Sequence, residues 1–145
     1  MAVEAITYAD VRAVLDHSID RLWSPIAAFG ELDRWAAGVT GCTIEGKGPG
    51  AIRTVSLGDR QARERLEAID SLRHRLRYSV LPPHAMPARN VTSEICLTAL
   101  DDGRTEVRWR SEASDFTAPP EQVGAGIEKF YRRSLDNLDR MLRTG

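Results

Sequence analysis

The sequence predicts an α+β domain in which a curved, seven-stranded antiparallel sheet wraps around one long C-terminal helix, with two short helices after the first strand and an internal cavity. Three observations carry this prediction. The first is the order of elements: one strand, two short helical stretches, six strands in hairpins, and a final amphipathic helix. The second is the punctuation between strands, which is too short for parallel crossovers and so dictates antiparallel neighbours. The third is arithmetic of covering. A sheet with one apolar face must bury that face, and only the last helix is long enough to cross it. One helix cannot fill the concavity of a strongly bent sheet, and the remaining volume is a cavity closed at its mouth by loops.

Ala5 to Asp16 carries Val11, Ala13 and Leu15 at alternate positions, the period of a half-buried strand. Ser18 offers an N-cap, after which Ile19, Leu22, Trp23, Ile26 and Phe29 recur at helical spacing. Pro25 deletes a backbone hydrogen bond inside this segment, so a short or kinked helix stopping at Gly30 is expected. A second short turn, Glu31 to Ala37, places Leu32 and Trp35 on one side. Strand-like segments follow at Cys42–Glu45, Ala51–Leu57, Ala62–Asp70, Arg73–Leu81, Asn90–Leu100 and Thr105–Ala113. Each is bounded by turn residues such as Gly58-Asp59, Pro82-Pro83 and Asp101-Asp102-Gly103. Pro119 and Pro120 then suit the first turn of a helix with Glu121 at its positive end. Val123, Ile127, Phe130, Ser134, Leu135, Leu138, Met141 and Leu142 form its apolar stripe, with Arg132, Arg133, Asp136, Asp139 and Arg140 mostly on the other side. At ~1.5 Å per residue this helix is roughly 35 Å long. Residues 1–145 read as a single domain, without internal repeat or linker.

Composition narrows the function. A net charge of −1 supplies no field for nucleic acid or acidic lipid. No apolar run approaches the roughly 20 residues that span a bilayer. Met1 to Asp10 lacks the basic-then-apolar pattern of a secretory signal. Cys42 and Cys96 are too few for a disulfide scaffold, and a reduced cytoplasm with both thiols buried in strands is the expected setting. His17, His74 and His84 lack metal-ligand spacing, and no nucleophile or phosphate-loop motif occurs, so neither a metal nor a cofactor is expected. The arginines between Arg60 and Arg77 are interrupted by Glu64 and Glu67, which reads as a solvated outer face with cross-strand ion pairs.

Several segments in this order resemble the START/helix-grip (SRPBCC) superfamily, in its polyketide cyclase/dehydrase-like and plant hormone-receptor-like branch. They are Leu22-Trp23, Phe29 through Trp35, Cys42 through Gly46, Gly50 through Val55, Arg63 through Asp70, Tyr78-Ser79-Val80, Arg89-Asn90 and Asp102 through Trp109. The resemblance covers nearly the whole chain. It implies a helix-grip fold that binds lipids, hormones or polyketides, with cyclase activity in some members. It also implies that Gly58 to Gln61 and Pro82 to Pro87 are gate loops at the pocket mouth. The first loop lacks the receptors' apolar-proline sequence, and Ala36 stands where they carry a pocket lysine. These departures argue against a hormone-receptor role, and the absence of a cationic anchor argues against an acidic ligand.

Alternation identifies the residues that face the cavity. A hairpin of Ala62–Asp70 with Arg73–Leu81 is expected to set Glu64 opposite Tyr78 and Glu67 opposite Arg75. Glu64, Leu66, Leu76, Tyr78 and Val80 then share the inner face, while Arg63, Arg65, Glu67, Arg73, Arg75 and Arg77 share the outer one. The same rule turns Val91, Ser93, Ile95, Leu97, Val107, Trp109 and Ser111 inward. The candidate ligand-contacting set is Val55, Leu57, Glu64, Leu66, Tyr78, Val80, Val91, Ser93, Trp109, Phe130 and Ser134. Glu64 stands out, since parity points it inward and the resemblance places the matching glutamate at the ligand. An isolated carboxylate there has a raised pKa and suits a polar anchor or a general acid/base, or it simply satisfies the core's polar groups. Two functions stay open: binding or transport of a small hydrophobic, polyketide- or lipid-like molecule, and a cyclase, dehydratase or isomerase using Glu64 and Tyr78 for proton transfer. An interaction module, dimerising through the long helix or a sheet edge, is a third reading.

Overall fold

The structure, a computed structural model, describes residues 4–84 and 86–144. Strand β1 (Ile6–Leu15) is followed by helix α1 (Ile19–Ala27), whose N-terminus is capped where expected: the Arg21 amide donates to Ser18 Oγ at 3.3 Å. The helix stops at Ala27, short of Gly30, and a 3₁₀ segment (Phe29–Arg34) takes over in place of a separate turn at Glu31–Ala37. Pro25 removes a bond near the helix end, and Glu31 leaves helical geometry at φ −118°, so the chain bends around its own apolar residues. Leu22, Trp23, Ile26, Phe29, Leu32 and Trp35 are all buried along this bend.

The remaining main strands are β2 (Gly41–Glu45), β3 (Ile52–Leu57), β4 (Arg60–Asp70), β5 (Arg75–Leu81), β7 (Thr92–Ala99) and β8 (Thr105–Ala113). With β1 they form one seven-stranded sheet in the order β1-β8-β7-β5-β4-β3-β2, every neighbouring pair antiparallel. Two short strands that the sequence reading missed, β6 (Ala88–Arg89) and β9 (Asp115–Phe116), pair with each other beside the sheet. Two residues carry no periodicity to detect.

The β4–β5 register differs from the expected one. Glu64 lies opposite Val80, and Leu66 lies opposite Tyr78. The turn is longer than the strand pattern suggested, because Asp70 Oδ1 accepts from the Leu72 and Arg73 amides at 3.0 and 3.1 Å, and β5 begins only at Arg75. The slip at this end is two residues, which leaves every side chain on its expected face. A bulge at Glu67 then resets the phase, so Glu67 and Ala68 both face solvent while Ile69 packs on the core. In the Arg60–Arg77 hairpin the expected pairing of Glu67 with Arg75 does not form, because the bulge turns Glu67 to Arg65 of its own strand at 2.9 Å; cross-strand pairs of the outer face lie elsewhere, Arg108 with Asp10 at 2.8 Å and Arg110 with Glu94 at 3.1 Å. Cys42 and Cys96 lie in β2 and β7 as free thiols, half-buried rather than fully buried.

Helix α2 (Pro120–Thr144) crosses the concave side and is fixed at both ends. Near its start, Gly124 packs against the Tyr8 carbonyl so closely that a Cβ would collide with it. One turn on, Glu128 Oε2 accepts the Asp10 amide at 2.9 Å, satisfying a donor on the edge of β1. At the far end, His17 Nε2 meets Asp139 Oδ1 at 2.7 Å and Arg21 donates to the Leu142 carbonyl at 2.7 Å. No helix among the described residues is long and apolar enough to cross a membrane.

Candidate ligand-binding site

Between the concave sheet and α2 lies a pocket of about 260 Å³. Its walls follow from strand parity. On β3, Arg53, Val55 and Leu57 alternate inward; on β4, Arg60, Ala62 and Glu64; on β5, Tyr78 and Val80. Val91, Ser93, Trp109 and Ser111 close the floor, while Leu32, Met86, Ile127 and Phe130 cover the other sides. Of the candidate contact residues, Val55, Leu57, Glu64, Tyr78, Val80, Val91, Ser93, Trp109 and Phe130 therefore line it. Leu66 and Ser134 do not. Leu66 is buried in the core beyond the pocket, and Ser134 Oγ is occupied, accepting from the Ala37 amide at 2.9 Å and donating to the Phe130 carbonyl at 2.8 Å. Of the two anticipated gate loops, Gly58-Asp59 is a tight turn with Gly58 at φ +69°, joining Leu57 to Arg60 at the rim. The Pro82–Pro87 loop contributes Met86; its Ala85 lies outside the described residues.

Glu64 is not an isolated carboxylate. Arg53 is only 3% exposed, and its Nε and one terminal nitrogen both reach Glu64 Oε1 at 2.7 Å. Another nitrogen donates to the Phe29 carbonyl at 3.1 Å. The guanidinium lies 3.9 Å from the Phe29 ring centre and 4.8 Å from that of Tyr78, so aromatic faces hold it on both sides. The pocket thus contains a cation that the sequence reading missed, already neutralised by Glu64. Val55 and Leu57 were read as inward, and Arg53 shares their parity, so the signal was present in the sequence.

A second polar group is made of hydroxyls. Ser111 Oγ donates to Tyr8 Oη at 2.9 Å, Ser93 and Ser111 Oγ are 2.9 Å apart, and Ser93 Oγ lies 3.5 Å from Tyr131 Oη. Beside them Trp109 Nε1 donates to Tyr78 Oη at 3.1 Å. Trp109 also stacks on Tyr131 with centroids 3.9 Å apart. Burial raises the pKa of Tyr8 and of Tyr131, and it raises that of Tyr78 with help from the nearby Glu64 charge. All three phenols are held in the protonated form. Tyr131 stands four residues from both Ile127 and Leu135, a spacing that fits the apolar stripe, yet the stripe read from the sequence left it out. Tyr8 was hidden by a β-bulge that buries both it and Ala9. Among the described residues no three His, Cys, Asp or Glu side chains come together in a way that could hold a metal.

The profile of the family described as polyketide cyclase/dehydrase and lipid transport matches residues 9–143. The chain belongs to this family. Solved structures share the fold. A protein of Bacillus thuringiensis superposes with TM-score 0.82 at 18% identity, covering 96% of this chain and 98% of its own. XoxI of Bacillus cereus gives TM-score 0.80 at 19% identity, with 92% and 95% covered. A protein of Thermobifida fusca gives 0.77 at 22% identity, with 92% and 91% covered. These likenesses establish the shared fold. No curated protein matches the chain. Within the family's architecture, the pocket occupies the space between the grip of the sheet and the helix.

Proposed function

We propose that the protein binds a small, predominantly apolar molecule in the pocket between the sheet and α2. The observation that carries this reading is the lining itself: aliphatic and aromatic walls with a few convergent polar groups, the usual composition of small-molecule sites. At about 260 Å³ the pocket sits just under the roughly 300–1,000 Å³ typical of such sites, which favours a compact molecule of one or two rings over a long-chain lipid. The Arg53–Glu64 pair supplies polarity without net charge in the buried part of the pocket, which favours a neutral group there, while exposed Arg60 stands at the rim.

A second reading, proton-transfer catalysis by Glu64 and Tyr78 on a carbonyl compound, draws support from the cyclase/dehydrase part of the family description and from both residues lining the pocket. It is the weaker of the two. The carboxylate is committed to Arg53, and burial holds the Tyr78 phenol in its protonated form.

Native against denaturing mass spectrometry of freshly purified protein, extended to titration with tetralin and tetralone, tests the binding reading. The expected result is a bound small molecule in the wild type that is lost from Val80→Trp, whose indole would fill the pocket. Wild type and variant that both ignore the two probes would overturn it. Turnover of a bound compound that disappears in Glu64→Gln while binding persists would transfer the assignment to the enzyme reading.

A further inference from the structure

Three charged side chains line the pocket: Arg53, Glu64 and Arg60. The first two cancel, since Arg53 reaches Glu64 Oε1 at 2.7 Å in the buried part. Arg60 is left over. It opens β4 directly across from Leu57, at the rim, and it is exposed. Among the described residues it makes no ion pair, not even with Asp59 beside it in the turn. Asp59 itself is no part of the lining. Arg60, Ala62 and Glu64 share the inner face of the strand. At about 3.3 Å per residue, the backbone positions of Arg60 and Glu64 stand roughly 13 Å apart. Ala62 between them brings no polar side chain. The Pro82–Pro87 loop, which brings Met86 to the pocket, sits in a field of the same sign as Arg60. Arg89 donates to the Met86 and Ala88 carbonyls at 3.2 and 3.1 Å. Burial and the Arg89 charge together lower the pKa of His84 in that loop. The pocket is thus neutral inside and positive at its mouth.

We infer that Arg60 selects the charge of the ligand: the bound molecule carries a carboxylate that the Arg60 guanidinium receives at the mouth, while its neutral apolar body fills the pocket. This rests on the ligand-binding reading above and adds a specificity-determining residue to it. One guanidinium supplies one positive charge, and its forked N–H groups match the two oxygens of a carboxylate. An ammonium group would meet Arg60 as a like charge. A carboxylate driven down to the Arg53–Glu64 pair would lose its hydration beside a cation that is already neutralised. At the rim the same group keeps much of its water, so its desolvation costs little. The missing cationic anchor that argued against an acidic ligand is missing only from the interior. The unpaired cation stands at the mouth. Because Arg60 is exposed, its contribution is that of a solvated ion pair, roughly twofold to fivefold in affinity.

The test is isothermal titration of wild type, Arg60→Gln and Arg60→Glu with tetralin-2-carboxylate and tetralin-2-carboxamide, which share a skeleton and differ in charge. At low ionic strength the wild type is expected to bind the carboxylate roughly twofold to fivefold more tightly than the amide, and added salt should erase that margin. Arg60→Gln should bind the two probes equally, and Arg60→Glu should prefer the amide, with amide affinity close to the wild-type value in both variants. Equal affinity for the two probes in wild type, or a carboxylate preference that survives Arg60→Gln, would overturn the role of Arg60 and leave the binding reading standing. Failure of both probes in every protein would overturn the binding reading itself. Thermal melts of each variant separate a lost contact from a lost fold.

Discussion

Replacing Arg53 by Met should be among the costliest single changes to this protein, and the cost should largely vanish in the right double variant. Arg53 is 3% exposed and makes two 2.7 Å contacts to Glu64 Oε1 and a 3.1 Å bond to the Phe29 carbonyl, with Phe29 and Tyr78 against its faces. Removing one member of a buried pair typically costs about 3–5 kcal/mol, chiefly because the other charge is left without a partner. The Glu64 side chain retains 15% exposure through the pocket, so hydration relieves part of this and the expected loss is about 3 kcal/mol. With urea m-values of about 1–3 kcal/mol/M, the midpoint should fall by roughly 1–3 M at unchanged slope. Glu64→Gln alone should cost about 1–3 kcal/mol, because it strands the guanidinium. The Arg53→Met, Glu64→Gln double variant removes both charges and should be at least about 1.5 kcal/mol more stable than the sum of the single effects predicts. Additivity of the two changes to within about 0.5 kcal/mol would refute the claim that the ion pair is one coupled unit.

The three tyrosines provide a second check, since all are buried with raised pKa values. Spectrophotometric titration of native protein should show no phenolate step near pH 10, the model-peptide value, with ionisation appearing only as alkaline unfolding begins; stability is then complete below pH ~10 and declines above it. A native midpoint near 10 would contradict the burial. Asp10 is depressed by its hydrogen bonds to Arg108, so its stabilising effect is complete above its ordinary value of 3.8 and is lost as pH falls below that. Thermal melts between about pH 2 and 5 should therefore be flatter in Asp10→Asn than in wild type. Gly124→Ala should cost about 2 kcal/mol or more, because a methyl would strike the Tyr8 backbone, whereas Gly126→Ala meets open space and should gain about 0.5–1 kcal/mol from helix propensity. Val80→Trp should melt within a few degrees of wild type while losing probe binding, as expected for a side chain that fills a pocket rather than one wedged into a packed core.

Much of this architecture was legible because it depends on period and punctuation. The alternation through β7 and β8 and the residue before β7 identified Val91, Ser93, Trp109 and Ser111 as inward, and the hairpin signals marked consecutive strands as antiparallel neighbours, while the pairing of β1 with β8 carried no local signal. What parity supplies is a face, and a face is not a position along the strand. Leu66 and Glu64 share the inner face of β4, yet only Glu64 reaches the pocket, since the sheet curves away and the core fills around Leu66. Ser134 is buried, but its hydroxyl is occupied in holding the segment after the 3₁₀ turn to α2. The bulges at Tyr8 and Glu67 shift the phase by one residue, and nothing local in the sequence announces them. Arg53 is the instructive omission. It shares the parity of Val55 and Leu57, but a charged side chain is not expected inside, and the partner that makes its burial possible, Glu64, lies on the neighbouring strand.

The central claim is an accessible pocket that accepts a compact, mostly apolar molecule, and nuclear Overhauser contacts between bound tetralone and labelled methyl groups test it most directly. Cross-peaks to the methyls of Val55, Val80 and Val91, absent in Val80→Trp, are the predicted result. Saturating probe with no contact to any of these methyls would contradict it, and the space between the sheet and α2 would then be closed to ligands.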